Sequence, residues 1–203
     1  MNSINTITVL GAGYVGLTTA ALLAHAGYKV YVVEPNKERL DVIKTGRSFF
    51  FEEGLDSVIK LALQSGTLIP TNSYEESVPD SQVVFSCVGT PDNPDGSSNL
   101  TYVFSAAEET AKLAKPATIY VQKSTVPVGT GRKIEALFQE LNKKLEYVSN
   151  PEFLREGTAL SDTLFFDRVV VGGDNQAAVD TVMDIYMNLE QFQLHQLNKL
   201  SLF

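Results

Sequence analysis

Three glycines and a glutamate declare the first piece of chemistry in this sequence. In Gly11-Ala12-Gly13-Tyr14-Val15-Gly16 the spacing is that of a turn between a strand and a helix that cradles a pyrophosphate. Gly11 lets the chain turn sharply, Gly13 keeps a Cβ away from the phosphates, and Gly16 lets the helix approach the sheet. The amides from Tyr14 and Val15 onward then face the anion along the helix dipole. Glu34 closes the next β-rich run, where a carboxylate accepts the ribose hydroxyls and repels a 2′-phosphate. Together they predict a dinucleotide site that takes NAD in preference to NADP; the alternative is a helix-capping turn with a solvated glutamate. Arg39 has two readings, a contact to adenine or phosphate, or one member of a solvated helix face with Lys37, Glu38 and Asp41.

A second piece lies in Glu152 and Glu156, four residues apart. If that stretch is helical they share a face, and mutual repulsion raises one pKa toward that of a useful base. The alternative is a solvated acidic turn. Cys87, the only cysteine, lies inside the apolar run Val83-Val84-Phe85-Ser86-Cys87-Val88 and reads as a small buried hydrophobe rather than a nucleophile. One cysteine and two distant histidines, His25 and His195, predict no structural metal.

These residues need elements to hold them. The run from Ile4 to Leu10, the glycine turn and the breaker-free Tyr14 to Ala26 read as strand, turn and helix, with Tyr28 to Glu34 as the next strand. Alternation continues with helices over 37–44 and 55–64, a short strand near Leu68 and Ile69, and a buried strand over 82–88. A helix over 102–113, a strand over 118–122, a helix over 131–142 and a strand over 146–149 follow. A strand over 168–171 and a helix over 175–187 end the pattern. Such alternation predicts an α/β fold, a Rossmann-type doubly wound and mainly parallel sheet. Pro91 to Ser98 is dense in turn formers and reads as a loop after a strand's carboxyl end, where such sheets bind ligands.

With 44% apolar and 20% charged residues in 203, the chain has globular composition. No apolar run approaches the ~20 residues of a membrane span, and the amino terminus lacks a signal-peptide pattern, so a cytoplasmic protein is expected. A formal charge of −8 argues against nucleic acid or an anionic membrane as partner. An anionic ligand must therefore be held by local groups.

Three further segments go beyond a generic dinucleotide fold: Val88-Gly89-Thr90-Pro91, Lys123-Ser124-Thr125-Val126-Pro127-Val128-Gly129-Thr130 and Asn150-Pro151-Glu152-Phe153-Leu154-Arg155-Glu156-Gly157. With Glu53-Gly54-Leu55 and Asp167-Arg168-Val169-Val170-Val171-Gly172, the chain from Ile7 to about Gly172 resembles the amino-terminal half of the UDP-glucose 6-dehydrogenase family of nucleotide-sugar dehydrogenases. The resemblance implies two NAD-dependent oxidations of the sugar C6 hydroxyl to a carboxylate through a cysteine thioester, in nucleotide-sugar metabolism and polysaccharide biosynthesis. It also implies a homodimer for the full-length enzyme. By the same resemblance Glu152 assists water attack, Thr125 orients that water and touches the cofactor, and Glu156 lies near nicotinamide and substrate. Phe153, Leu154 and Arg155 then line the sugar-nucleotide site, Thr90 contacts the cofactor, and Arg39 gains support as an adenosine contact.

Departures limit what this chain is expected to do alone. The family's cysteine and its partner lysine and asparagine have no match here, and Lys199 and Asn198 stand in no corresponding motif. The expected organisation is an NAD-binding domain over 1–188 and a truncated or divergent tail over 189–203, without the downstream substrate domain. Such a chain binds NAD but does not turn over. Phe49-Phe50-Phe51-Glu52-Glu53, where the family favours a proline-containing turn, is expected to expose aromatic surface. The competing functions are a non-catalytic dinucleotide- or partner-binding module, a hydroxyacid or 6-phosphogluconate type dehydrogenase, and an enzyme for GDP-mannose or UDP-N-acetylmannosamine.

Overall fold

The computed structural model describes residues 4–165 and 168–200, with side chains as far as Leu189. Strand β1 (Thr6–Leu10) leads through the glycine turn into helix α1 (Tyr14–His25), and β2 (Lys29–Val33) returns parallel to it. Then come α2 (Lys37–Lys44), α3 (Leu55–Ser65), β3 (Leu68–Thr71), the one-turn α4 (Tyr74–Ser77) and β4 (Val83–Ser86). The chain continues through α5 (Thr101–Leu113), β5 (Ile119–Gln122), α6 (Thr130–Glu140), β6 (Glu146–Ser149), α7 (Ala159–Leu164) and α8 (Gln176–Leu200).

The six strands form one sheet in the order β3-β2-β1-β4-β5-β6, and every pairing is parallel. Helices cover both faces, which is why the strands read as near-continuous apolar runs rather than alternating ones. Ile7, Val9, Val30, Val32, Phe85 and Val121 pack on one face with α1, α3 and α8; Leu10, Val33, Val84 and Tyr120 pack on the other with α5 and α6. Each such fully buried aliphatic side chain contributes about 1.5–3 kcal/mol.

Register matters more here than the packing. Leu10 lies level with Val33 and Ser86, and Ser86 lies level with Gln122, itself level with Ser149. The next residue of each strand therefore emerges in one row: Glu34, Gly11, Cys87, Lys123 and Asn150. Connections from β1 and β4 leave in opposite directions, opening a crevice at the row's centre.

Four expectations change. The strand expected over 168–171 does not form; Arg168 and Val170 are exposed, Val170 gives its carbonyl to Asn150 Nδ2 at 2.9 Å, and only a single antiparallel bridge joins Ser149 to Gly172. Of the two readings left open for Glu152 and Glu156 the helical one does not apply, because 151–157 is irregular chain, broken by Pro151 and by Gly157 at φ +87°. A helix does follow, α7, where none was expected. The final helix does not stop at Met187 but runs to Leu200; the side chains of most of the expected tail lie outside the described residues. Of the Phe49 to Phe51 run only Phe51 is exposed, at 78%, since Phe49 and Phe50 pack partly against the core. Among the described residues no helix is long and apolar enough to cross a membrane.

Candidate functional site

The glycine turn divides its labour unequally. Gly11 adopts φ +87°, and a Cβ there would lie 2.9 Å from the Cys87 carbonyl oxygen. Gly16 is tighter: a Cβ would meet the Gly11 carbonyl oxygen at 1.8 Å. Gly13, the residue that caps α1, has ordinary extended backbone and nothing within 4 Å of where a Cβ would stand. The first and third glycines are required by the protein, whereas the second leaves open space beside the turn. Helix α1 starts with no side-chain cap and no acidic residue in its first turn, so its orphan amides are available to an anion.

Glu34 is buried, and both carboxylate oxygens are held by backbone amides, Oε2 by Ala12 N at 3.3 Å and Oε1 by Asn36 N at 2.9 Å. An ionised carboxylate has about four acceptor sites, so two remain for a ribose diol. Open space at Gly13, uncapped amides and a fixed carboxylate fit a dinucleotide. Arg39 keeps an exposed guanidinium 4.8 Å above the Phe49 ring, and the ion pair of α2 is Lys37 with Asp41.

Gly11, Gly13, Tyr14, Val15, Glu34 and Arg39 line a crevice of about 860 Å³ whose other wall carries Thr90, Thr125, Glu152 and Glu156. Gly16 is buried beneath it. Phe153, Leu154 and Arg155 instead line a neighbouring cavity of about 330 Å³, and Glu152 borders both. Glu152 Oε2 accepts the Leu154 amide at 2.6 Å, so its own segment holds the carboxylate. Arg155 is clamped by Asp162, through Nε to Oδ2 at 3.1 Å and Nη2 to Oδ1 at 2.6 Å, with the Arg155 amide on Oδ2 at 2.9 Å. These bonds hold the Asp162 carboxyl down at about 2. Arg168 places its guanidinium 5.1 Å over the Phe153 ring.

Three residues of the second cavity were assigned no role in the sequence. Lys123 is buried at the end of β5, donating to Tyr186 Oη at 2.9 Å and Asn150 Oδ1 at 3.4 Å, while Tyr186 Oη donates to the same Asn150 oxygen at 2.5 Å. The trio joins β5, β6 and α8 around the cavity wall. The signal was present: a lysine immediately after an apolar strand, and an asparagine immediately after the next.

Cys87 packs against α1 near Gly16 and lines the crevice floor. Burial pushes its thiol up to about 12, against a smaller pull from the Lys123 ammonium. At pH 8 its thiolate fraction then falls on the order of 10³ below that of a free cysteine. Half-buried Cys87 is expected to react with iodoacetamide much more slowly in the folded chain than in urea, as read by mass spectrometry; equal rates in the two states would contradict the raised thiol pKa.

Parallel strands in the order 3-2-1-4-5-6, with the crevice at the switch between β1 and β4, define a dinucleotide-binding domain of the dehydrogenase class. The chain belongs to the UDP-glucose/GDP-mannose dehydrogenase family, whose NAD binding domain matches residues 5–190, and NAD is its cofactor. It is 39% identical over 186 residues to UDP-glucose 6-dehydrogenase of Pseudomonas aeruginosa, covering 89% of this chain and 41% of that protein. It is 40% identical over 188 residues to UDP-glucose 6-dehydrogenase of Rhizobium meliloti, covering 90% and 43%. Among solved structures, a UDP-glucose dehydrogenase from Pyrobaculum islandicum superimposes with TM-score 0.86 at 36% identity. A ternary complex of GDP-mannose dehydrogenase from Pseudomonas aeruginosa does so with TM-score 0.86 at 32%; in both cases 91% of this chain and 44% of the other are covered. The chain thus spans less than half the length of these relatives.

Proposed function

We propose that this chain is the NAD-binding half, over 1–188, of a dehydrogenase that oxidises C6 of a nucleotide sugar to the carboxylate, with UDP-glucose as substrate. The observation that carries this reading is the position of Glu152, which borders both the dinucleotide crevice and the cavity of Phe153, Leu154 and Arg155. A carboxylate at that boundary stands between a cofactor on one side and a sugar on the other. NAD, when bound, supplies the hydride acceptor.

The chain's own groups have separable roles in this proposal. Gly13 and the α1 amides receive the pyrophosphate, Glu34 takes the ribose diol, and Arg39 and Thr90 flank the cofactor. Glu152 keeps Oε2 on the Leu154 amide, leaving Oε1 to take a proton from water, and the exposed Thr125 hydroxyl orients that water. Glu156, exposed at the crevice wall, lies beside the nicotinamide and sugar. In this reading the thiol that carries the acyl group is not Cys87, which follows the apolar strand β4, packs against α1 at Gly16 and has its pKa pushed up by burial.

Calorimetric titration of the chain with NAD, NADP and UDP-glucose tests the binding half of the proposal. Micromolar-range NAD binding with much weaker NADP binding is expected; no heat with NAD would refute it. Joined to a thiol-bearing half, Glu152→Gln is expected to lower turnover by roughly 10²–10⁴ and let an acyl-cysteine adduct accumulate. Unchanged turnover would remove Glu152 from the chemistry.

A further inference from the structure

Glu52 is a carboxylate in an unexpected place. It lies in the loop between α2 and α3, is 6% exposed, and has no ion pair among the described residues. Its Oε1 accepts the amide of Leu160, 108 residues away in the first turn of α7, at 3.0 Å. Its Oε2 is buried with no hydrogen-bond partner. A buried carboxylate oxygen left unpaired is costly, and such groups persist where the surrounding structure uses them.

What surrounds Glu52 connects the two cavities. On one side, the preceding carbonyl, that of Phe51, accepts the Tyr14 hydroxyl at 3.3 Å, and the Tyr14 ring lies 4.0 Å from that of Phe50. Tyr14 is the first residue of α1 and lines the dinucleotide crevice. On the other side, α7 carries Asp162, which clamps the Arg155 guanidinium and amide in the second cavity. Gly54 abuts Leu160 too: a Cβ there would stand 3.2 Å from Leu160 Cδ2. The loop therefore touches the cofactor turn through Tyr14 and the substrate segment through α7.

We propose that Glu52 is a positioning residue that couples dinucleotide binding at the Tyr14 turn to the placement of α7 and, through Asp162, of Arg155. The functional half of this statement rests on the assignment of the two cavities given above. The device is the unpaired oxygen. A shift of the loop that brings an amide donor onto Oε2 relieves the unpaired group and, through the Oε1 bond to the Leu160 amide, moves α7 with it. A ligand that fixes Tyr14 biases the loop toward that arrangement, and by linkage a ligand on Arg155 strengthens the first.

Amide hydrogen exchange on the whole chain, with and without saturating NAD, reads this directly, with calorimetry on the same sample reporting occupancy. In the wild type, NAD is expected to slow exchange over 159–164 by about tenfold or more. In Glu52→Ala, exchange over 153–164 is expected to rise about tenfold without NAD, with the sheet unchanged, and the NAD effect on 159–164 to vanish. Glu52→Gln retains an acceptor for the Leu160 amide and is expected to restore basal protection. NAD that binds the wild type without slowing 159–164 overturns the coupling while leaving the cofactor site intact; so does a Glu52→Ala chain that responds to NAD as the wild type does. If Glu52→Ala does not fold, the wild-type response decides. Absence of NAD binding overturns both readings.

Discussion

Gly16→Ala is expected to be among the most damaging single-methyl additions in the molecule. The new Cβ would stand 1.8 Å from the Gly11 carbonyl oxygen, with Gly11 C at 3.0 Å and Cys87 Cβ at 3.1 Å behind it. Neither backbone nor a buried strand end yields as a flexible side chain does. The cost is about 3 kcal/mol or more, which in a domain of this size lowers the Tm by roughly 6–12 °C. Gly13→Val makes the opposite experiment. No protein atom lies within 4 Å of a Cβ there and the backbone is extended, so without ligand its Tm is expected to fall only by the cost of placing valine rather than glycine at the N-cap of α1, about 1 kcal/mol, well below that of Gly16→Ala. Thermal unfolding with saturating NAD separates them. The wild type gains stability by mass action, about 2.7 kcal/mol at a hundred times Kd, and Gly13→Val gains none. A wild-type Tm for Gly16→Ala, or an NAD-dependent rise for Gly13→Val, would falsify this division of the turn.

Glu34→Ala is the second large effect. Its carboxylate is fixed by the Ala12 and Asn36 amides, so no reorganisation is needed when ribose hydroxyls arrive. A hydrogen bond to a charged group is worth about 1.5–3 kcal/mol, so affinity for NAD is expected to fall roughly 10- to 150-fold by calorimetry. Glu34→Gln separates acceptor from charge: it still serves a backbone amide but no longer repels a 2′-phosphate, and the ratio of NAD to NADP affinity is expected to shrink most in this variant. A ratio unchanged in both variants would mean that Glu34 does not select the cofactor.

Most of what positions this crevice was legible in the sequence, because strands of a doubly covered sheet and turns made by glycine are dictated locally. Ile4 to Leu10 followed by Gly11, Gly13 and Gly16 permitted little else, and the row Glu34, Gly11, Cys87, Lys123, Asn150 is a consequence of parallel register. What failed depended on tertiary competition. Val169, Val170 and Val171 have strand propensity, yet Asn150 captures the Val170 carbonyl and the edge of β6 receives only one bridge. The spacing of Glu152 and Glu156 left a helix and an acidic turn both open, and the choice falls to the local bond from the Leu154 amide to the Glu152 carboxylate, which competes with a helix. The helix that does form, α7, is anchored by Glu52 from the far side of the chain, a partner that no local pattern announces. Lys123 was visible as a residue but not as a hinge of three elements, because Tyr186 lies 63 positions away.

The uncapped amino end of α1 has a kinetic consequence. Its first turn carries no acidic residue, and as the proposed seat of the pyrophosphate it is set in a molecule of formal charge −8. Capture there is short-ranged, through amides that act within hydrogen-bond reach, whereas approach is governed by the negative field of the whole surface. Salt therefore acts on the two in different ways. With a Debye length near 8 Å at physiological ionic strength, added salt removes the long-range repulsion that slows an incoming dinucleotide and leaves the seated phosphates comparatively untouched. How fast the ligand arrives and how long it stays are encoded in separate parts of the molecule.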